Sequence, residues 1–126
     1  MTETFRSLRP RLETGDFVFC TLEESSYGDY ADCEPIACVA EAEGLTLVLQ
    51  QQAAEQAGLD YSGRFKCITL DLDSSLHATG LTARIAAALA ARAIPANIIA
   101  GYFHDHIFVP AEHAAEAVGI LSELRV

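Results

Sequence analysis

Apolar runs of strand length alternate with polar segments along most of this chain. Their β-branched and aromatic residues, bordered by turn residues, favour strands over short helices. The runs predict strands at residues 16–22, 36–41, 45–49, 65–72, 97–103 and 106–109. We interpret residues 1–15 as a surface lead-in that ends at Gly15, and the polar residues 23–34 as a loop.

Three further segments have helical patterns. Residues 79–94 and 111–124 each carry an apolar stripe at helical spacing, and residues 50–57 have helical propensity up to Gly58. The stripes consist of Leu81, Ile85 and Leu89 in the first helix, and of Ala114, Ala117, Val118, Leu121 and Leu124 in the second.

The two halves of the chain repeat one order of elements. At a shift of 61 residues, Val48, Ala53, Ala54, Glu55 and Gly58 match Val109, Ala114, Ala115, Glu116 and Gly119. The opening strands match at a shorter shift, and the difference between the two shifts is about the length of one helix. We therefore interpret the halves as βαββα units, the first with its leading helix lost or shortened.

This order predicts an α+β fold with two ferredoxin-like units in tandem, built from antiparallel sheets with helices on one face. We place the boundary so that the units are residues 1–62 and 63–126. Such units leave sheet edges exposed, so we expect the edges to pair with each other or with a second copy in a homodimer.

Charge and hydropathy exclude several classes of partner. The 126 residues carry a formal charge of −10, which disfavours nucleic acid and anionic membrane surfaces. The longest apolar segment, residues 85–91, is too short to span a bilayer, and the N-terminus lacks the pattern of a signal peptide. We expect a cytoplasmic protein with reduced cysteines.

No recognisable catalytic motif is present. Cys33 and Cys38 do not have the spacing of a zinc site, and Cys20 and Cys67 lie inside predicted strands. No G-x-S-x-G motif surrounds any serine. We therefore predict a protein that is not an enzyme and that holds no metal or cofactor.

The run His104-Asp105-His106 leaves two interpretations open. The histidines share a strand face and hold a metal together with His77, or they flank a hairpin turn at Asp105. As an alternative to a metal role, Asp105 offers a negative charge to an amino or guanidinium group of a ligand.

The start of the alanine-rich helix is the candidate binding site. Its residues are Ser74, Ser75, Leu76, His77, Thr79, Gly80 and Leu81. The first N–H groups of a helix lack partners and carry partial positive charge, so they suit a carboxylate. Alternatively, Thr79 or Ser75 caps the helix and Gly80 permits close packing on a neighbouring chain, while His77 is an exposed loop residue.

Four segments resemble the small bacterial proteins with tandem ACT-like domains and, more distantly, cytosolic arginine sensors built from tandem ACT domains. These segments are residues 43–49, Ser74-Ser75-Leu76, residues 79–82 and residues 102–110. The resemblance implies a tandem ACT-like fold, a homodimer and a regulatory role. Catalysis is not implied.

The resemblance also places a ligand between the loop centred on Gly80 and the start of the next strand, Asn97, Ile98 and Ile99. The helix start would hold the carboxylate of an amino acid, and Asn97 would contact its carboxylate and ammonium groups. Asn97 is otherwise a turn residue after Pro95. The expected function is non-enzymatic amino-acid binding, and the alternative is a structural or protein-interaction module without a physiological ligand.

Overall fold

The computed structural model describes residues 7–72 and 79–125 of the chain. The strands are β1 (Pro10–Leu12), β2 (Phe17–Leu22), β3 (Ala37–Glu41), β4 (Gly44–Gln50), β5 (Phe65–Leu70), β6 (Asn97–Ala100) and β7 (Asp105–Pro110). The helices are α1 (Gln51–Gln56), α2 (Leu81–Ala90) and α3 (Ala114–Glu123). The contacts divide the chain into a unit Gly15–Phe65 and a unit formed by the residues on either side of it. The predicted division between residues 62 and 63 stays a prediction.

The unit Gly15–Phe65 is an antiparallel sheet in the order β3-β4-β2 with α1 on one face. Its core contains Val18, Cys20 and the leucines of β4, and α1 adds the buried Ala54. In place of a leading helix, the loop after β2 contains one 3-10 turn, Ala31–Cys33. The loss of that helix is thus confirmed.

The other unit contains β5, β7 and β6 in that order, and β1 pairs with β5. One face carries the core. Its buried side chains include Ile68, Leu70, Ile107 and Val109 from the sheet, Ile85 and Leu89 from α2, and Ala114, Ala117 and Leu121 from α3. Both predicted apolar stripes therefore face the core, with Leu81, Val118 and Leu124 packed at its margin.

In its described part, residues 7–15, the lead-in is not merely a surface segment, so that part of the sequence interpretation is wrong. Residues 10–12 form β1, antiparallel to β5, with Arg11 opposite Thr69. Leu8 is fully buried in the core beside β5, and the Glu13 N–H donates to the Cys67 carbonyl at 2.9 Å. A strand of three residues is too short to produce a clear alternation of apolar and polar positions.

Within residues 7–72 and 79–125, no helix has the length and apolar character required to cross a bilayer.

Candidate functional site

The start of α2 has an open backbone. Gly80 precedes the helix with a φ of +89°, a conformation that favours glycine, and a Cβ there would meet no atom of the described residues within 4 Å. The first intrahelical bond runs from the Arg84 N–H to the Gly80 carbonyl at 3.0 Å. The preceding N–H groups therefore point away from the helix without an intrahelical acceptor. The first turn contains no acidic residue that would repel an anion.

Only part of the predicted loop can be placed. Thr79 and Gly80 are exposed, and Leu81 begins the helix and packs at the margin of the core. The predicted residues Ser74, Ser75, Leu76 and His77 lie outside the described residues.

Strand β6 carries the other predicted contacts. Asn97 is exposed and lies opposite Phe108 of β7, while Ile98 lies opposite Ile107 and packs against the core. Ile99 lies opposite His106, and the last pair of the ladder joins Ala100 to Asp105. Asn97 and Asp105 are therefore at opposite ends of this ladder, about 10 Å apart at 3.3 Å per residue.

The contacts between β5 and β7 show which end faces the loop before α2. Thr69, near the end of β5, contacts His106, near the beginning of β7, at 3.0 Å. The beginning of β7 is therefore level with the end of β5, where the chain enters the loop to α2. Asp105 lies at the end of the sheet near the loop to α2, and Asn97 lies at the opposite end. A single protomer therefore does not bring Asp105 and Asn97 together.

The hairpin turn is not centred on Asp105, which corrects that alternative. The turn closes between Gly101 and His104, where the Gly101 N–H donates to the His104 carbonyl at 2.8 Å. Asp105 is the first residue of β7 and only 7% exposed, so it presents little surface to a ligand. Among the described residues, no group of three or more His, Cys, Asp or Glu is arranged to hold a metal. His77 lies outside them.

A polar network that the sequence did not reveal lies on the sheet face opposite the core. The Thr69 hydroxyl donates to Glu13 Oε2 at 2.6 Å and lies 3.0 Å from His106 Nδ1. Since its single proton goes to the carboxylate, His106 Nδ1–H donates to Thr69. Arg11 pairs with Asp71, from Nε to Oδ2 at 3.1 Å, and with Glu13 Oε1 at 3.0 Å.

The only sequence signal of this network was the charged residue at every second position, Arg9, Arg11 and Glu13. The network changes the protonation of its members. Hydrogen bonding to Arg11 lowers the pKa of Asp71. Burial lowers the pKa of His106, opposed in part by the charge of Glu13, and burial raises the pKa of the Cys67 thiol to about 11. Burial therefore favours the neutral form of His106, while the hydrogen bond to Thr69 uses the proton on Nδ1.

This arrangement predicts a pH-dependent loss of stability. Because the pKa of folded His106 is lowered, the unfolded chain binds the extra proton first as the pH falls below about 6.5. The free energy of unfolding should decrease through that window as the pH falls. Urea denaturation of the protein and of His106→Gln at several pH values checks this.

The His106→Gln variant should lack this part of the pH dependence. His113→Gln, a histidine outside the network, serves as the matched control. Equal slopes in all three proteins would contradict the assignment to His106.

Sequence models described as ACT domain match residues 1–66 and 62–123 of the chain. The chain therefore belongs to the ACT domain family and contains two ACT domains in tandem, with the α+β ferredoxin-like fold expected from the sequence. Domains of this class are typically regulatory and bind small molecules, and they are not catalytic.

Two kinds of solved structure resemble the chain. A Vibrio cholerae protein of unknown function, described as a possible transport protein, has 52% identity over 94% of this chain and 90% of its own, with a TM-score of 0.88. The ligand-free regulatory subunit of aspartate kinase from Thermus thermophilus has 11% identity over 89% of this chain and 92% of its own, with a TM-score of 0.64.

Escherichia coli aspartokinase III in complex with aspartate and ADP has 14% identity over 95% of this chain and 34% of its own, with a TM-score of 0.68. At such low identity the two kinase likenesses concern the fold alone. No curated protein matches the chain.

Proposed function

We propose that this protein is a cytoplasmic sensor that binds an amino acid or a related small carboxylate without transforming it. The observation that carries the proposal is the open start of α2 at Gly80 in a chain of the ACT family. Among structures of similar fold is an aspartokinase solved with aspartate, which makes an amino acid a reasonable first ligand to test.

The helix start supplies the anion-binding element. Its first N–H groups point outward, and the helix dipole places about half a positive charge there. Because Gly80 has no side chain, a carboxylate can approach these groups closely. The exposed Arg9 lies at the same end of the sheet, since its carbonyl accepts from the Asp71 N–H at 3.1 Å. This arginine adds positive charge where a carboxylate would enter.

The position of Asn97 suggests a site shared between two copies. Asn97 lies at the end of the β6–β7 ladder away from Asp105, and β6 has one neighbour, β7, among the described strands. We infer that the helix start of one protomer holds the carboxylate, while Asn97 and the backbone of Ile98 and Ile99 contact the ligand from a second protomer. Ligand binding would then favour one dimer arrangement over others, which is how the site transmits a signal.

A thermal-shift screen against the twenty amino acids tests the proposal. A ligand at 100 times its Kd stabilises the folded state by about 2.7 kcal/mol, so the shift of Tm should grow with ligand concentration. Gly80→Val should abolish the shift because its side chain blocks the helix start. Gly58→Val is the matched control, because Gly58 also has a positive φ of +70° and open space around it. A flat panel at millimolar ligand, or a shift that survives Gly80→Val, would overturn the proposal.

Mixing two inactive variants tests the shared site. Asn97→Ala chains keep the helix start and Gly80→Val chains keep Asn97. In an equal mixture about half of the dimers are mixed and each has one intact site of two, so about one quarter of all sites are restored. Recovery of that fraction of ligand binding, measured by calorimetry, supports a site between copies. No recovery would restrict the site to one chain.

The alternative, a protein-interaction module without a ligand, is favoured by one surface feature. Tyr102 and Phe103 in the β6–β7 turn are 76% and 67% exposed, and their rings stack edge to face with centroids 4.9 Å apart. Exposed aromatic residues are common at protein interfaces. If no amino acid shifts Tm while Tyr102→Ser with Phe103→Ser changes the oligomeric state, the interaction module becomes the better description.

A further inference from the structure

The space of the missing helix in the unit Gly15–Phe65 is only partly filled. The loop after β2 covers this face of the sheet, and it contains the 3-10 turn Ala31–Cys33 as its only helical segment. A cavity of about 290 Å³ remains between this loop and strands β3 and β4. It lies among residues 28–47 and contains no residue of the Gly80 site.

The floor of the cavity is apolar. Ala31, Pro35 and Cys38 supply its accessible surface, and Cys38 of β3 lies directly opposite Leu47 of β4 in the ladder. Leu45 and Leu47 lie beneath them and are each only 1% exposed. A pocket of this size is at the lower end of the range for small-molecule sites, which is roughly 300–1,000 Å³. An apolar cavity of about 150 Å³ already accepts a benzene ring. The floor therefore fits one ring or two fused rings.

The rim of the cavity is acidic and aromatic. Glu34 and Tyr30 both line it, and Glu34 is exposed. Glu34 has a φ of +50°, a left-handed conformation that is uncommon for a residue with a side chain and that often marks functional segments. Asp29 and Asp32 belong to the same loop, and the whole chain carries a charge of −10. Such a rim repels carboxylates and attracts cations.

We propose that this cavity is a second ligand site and that it binds a small aromatic amine. The ring lies on Pro35 and Cys38, the ammonium group pairs with Glu34, and the Tyr30 ring adds a cation–π contact. The charge preference is opposite to that of the Gly80 site, so the two sites take different classes of molecule.

Tryptamine is a suitable probe because the chain contains no tryptophan, so indole fluorescence reports only the ligand. Its fluorescence anisotropy should rise on addition of the protein. Indole-3-propionate carries the same ring with a carboxylate and should bind at least about tenfold more weakly. Absence of tryptamine binding at millimolar protein, or equal binding of both compounds, would overturn the proposal.

Two neighbouring substitutions locate the site. Cys38→Phe fills the floor and should abolish tryptamine binding. Val39→Phe is the control, because Val39 is the next residue of β3, is 52% exposed and does not line the cavity. Glu34→Gln should weaken tryptamine about tenfold and leave neutral indole unchanged. Tryptamine binding that survives Cys38→Phe would contradict this location.

A thiol-protection measurement covers the case in which Cys38→Phe fails to fold. Cys20 and Cys67 are buried, so in a Cys33→Ser variant Cys38 is the one partly exposed thiol. Tryptamine should slow its alkylation by iodoacetamide, and an unchanged rate would overturn the proposal. Gly80→Val should bind tryptamine normally. The experiments therefore distinguish failure of the amino-acid site at Gly80 from failure of the tryptamine site in the cavity.

Discussion

Replacing Leu8 by alanine is expected to lower the free energy of unfolding by about 3 kcal/mol, the usual cost of truncating a fully buried leucine. Leu8 is 0% exposed and belongs to the core cluster that includes Ile68, Leu70 and Leu121. Removing its side chain leaves a cavity that well-packed neighbours fill only in part. Urea denaturation monitored by circular dichroism measures the loss.

The matched control is Leu12→Ala. Leu12 lies four residues later in the same segment, but its side chain is 46% exposed, so its truncation should cost less than about 1 kcal/mol. If both variants lose the same stability, Leu8 does not belong to the core and the surface interpretation of residues 1–15 is restored.

The Leu8 result also bears on what the sequence could predict. Local patterns reveal the buried face of long elements directly. Examples are the alternation in β4 and the helical stripe of Leu81, Ile85 and Leu89. A segment with one buried leucine and a strand of three residues has no such pattern. Its place is decided by hydrogen bonds to β5, about 60 residues further along the chain.

The missing helix shows both the strength and the limit of the repeat. Comparing the halves predicted that the first unit lacks its leading helix, because the opening strands match at a shorter shift than the final helices. The comparison of the two halves did not indicate which residues occupy the position of the missing helix. The cavity above Leu45 and Leu47 depends on how far the loop of Tyr30 and Glu34 descends onto the sheet, which no local pattern encodes.

In the candidate site, too, local features could be predicted from the sequence, and contacts between distant segments could not. Gly80 at a helix start is a local signal, and the structure gives it the positive φ that glycine favours. The network of Glu13, Thr69 and His106 joins three strands that are distant in sequence, so it needs the pairing of β1, β5 and β7 to appear. The distance of Asn97 from Asp105 likewise follows from the β6–β7 register.

Gly44→Ala is expected to destabilise the protein by about 3 kcal/mol, through backbone strain and a steric clash together. Gly44 begins β4 with a φ of +154°, and a Cβ there would lie 2.8 Å from the Leu22 carbonyl oxygen and 3.1 Å from its carbon. Both are backbone atoms of β2, which pairs with β4 along Leu22 and Leu45. Relief would require the two strands to separate at this end, with loss of ladder hydrogen bonds.

Gly58→Ala is the reference variant without a steric clash. Gly58 also has a positive φ, +70°, but a Cβ there would meet nothing within 4 Å in the described part of the chain. Its substitution should cost about 1 kcal/mol from the backbone conformation alone. The difference between the two variants then measures the clash with Leu22 together with the additional strain of the φ of +154°. If Gly44→Ala unfolds at the same urea concentration as Gly58→Ala, the close approach of β4 to β2 at Leu22 is incorrect, and β4 pairs with β2 in a different register.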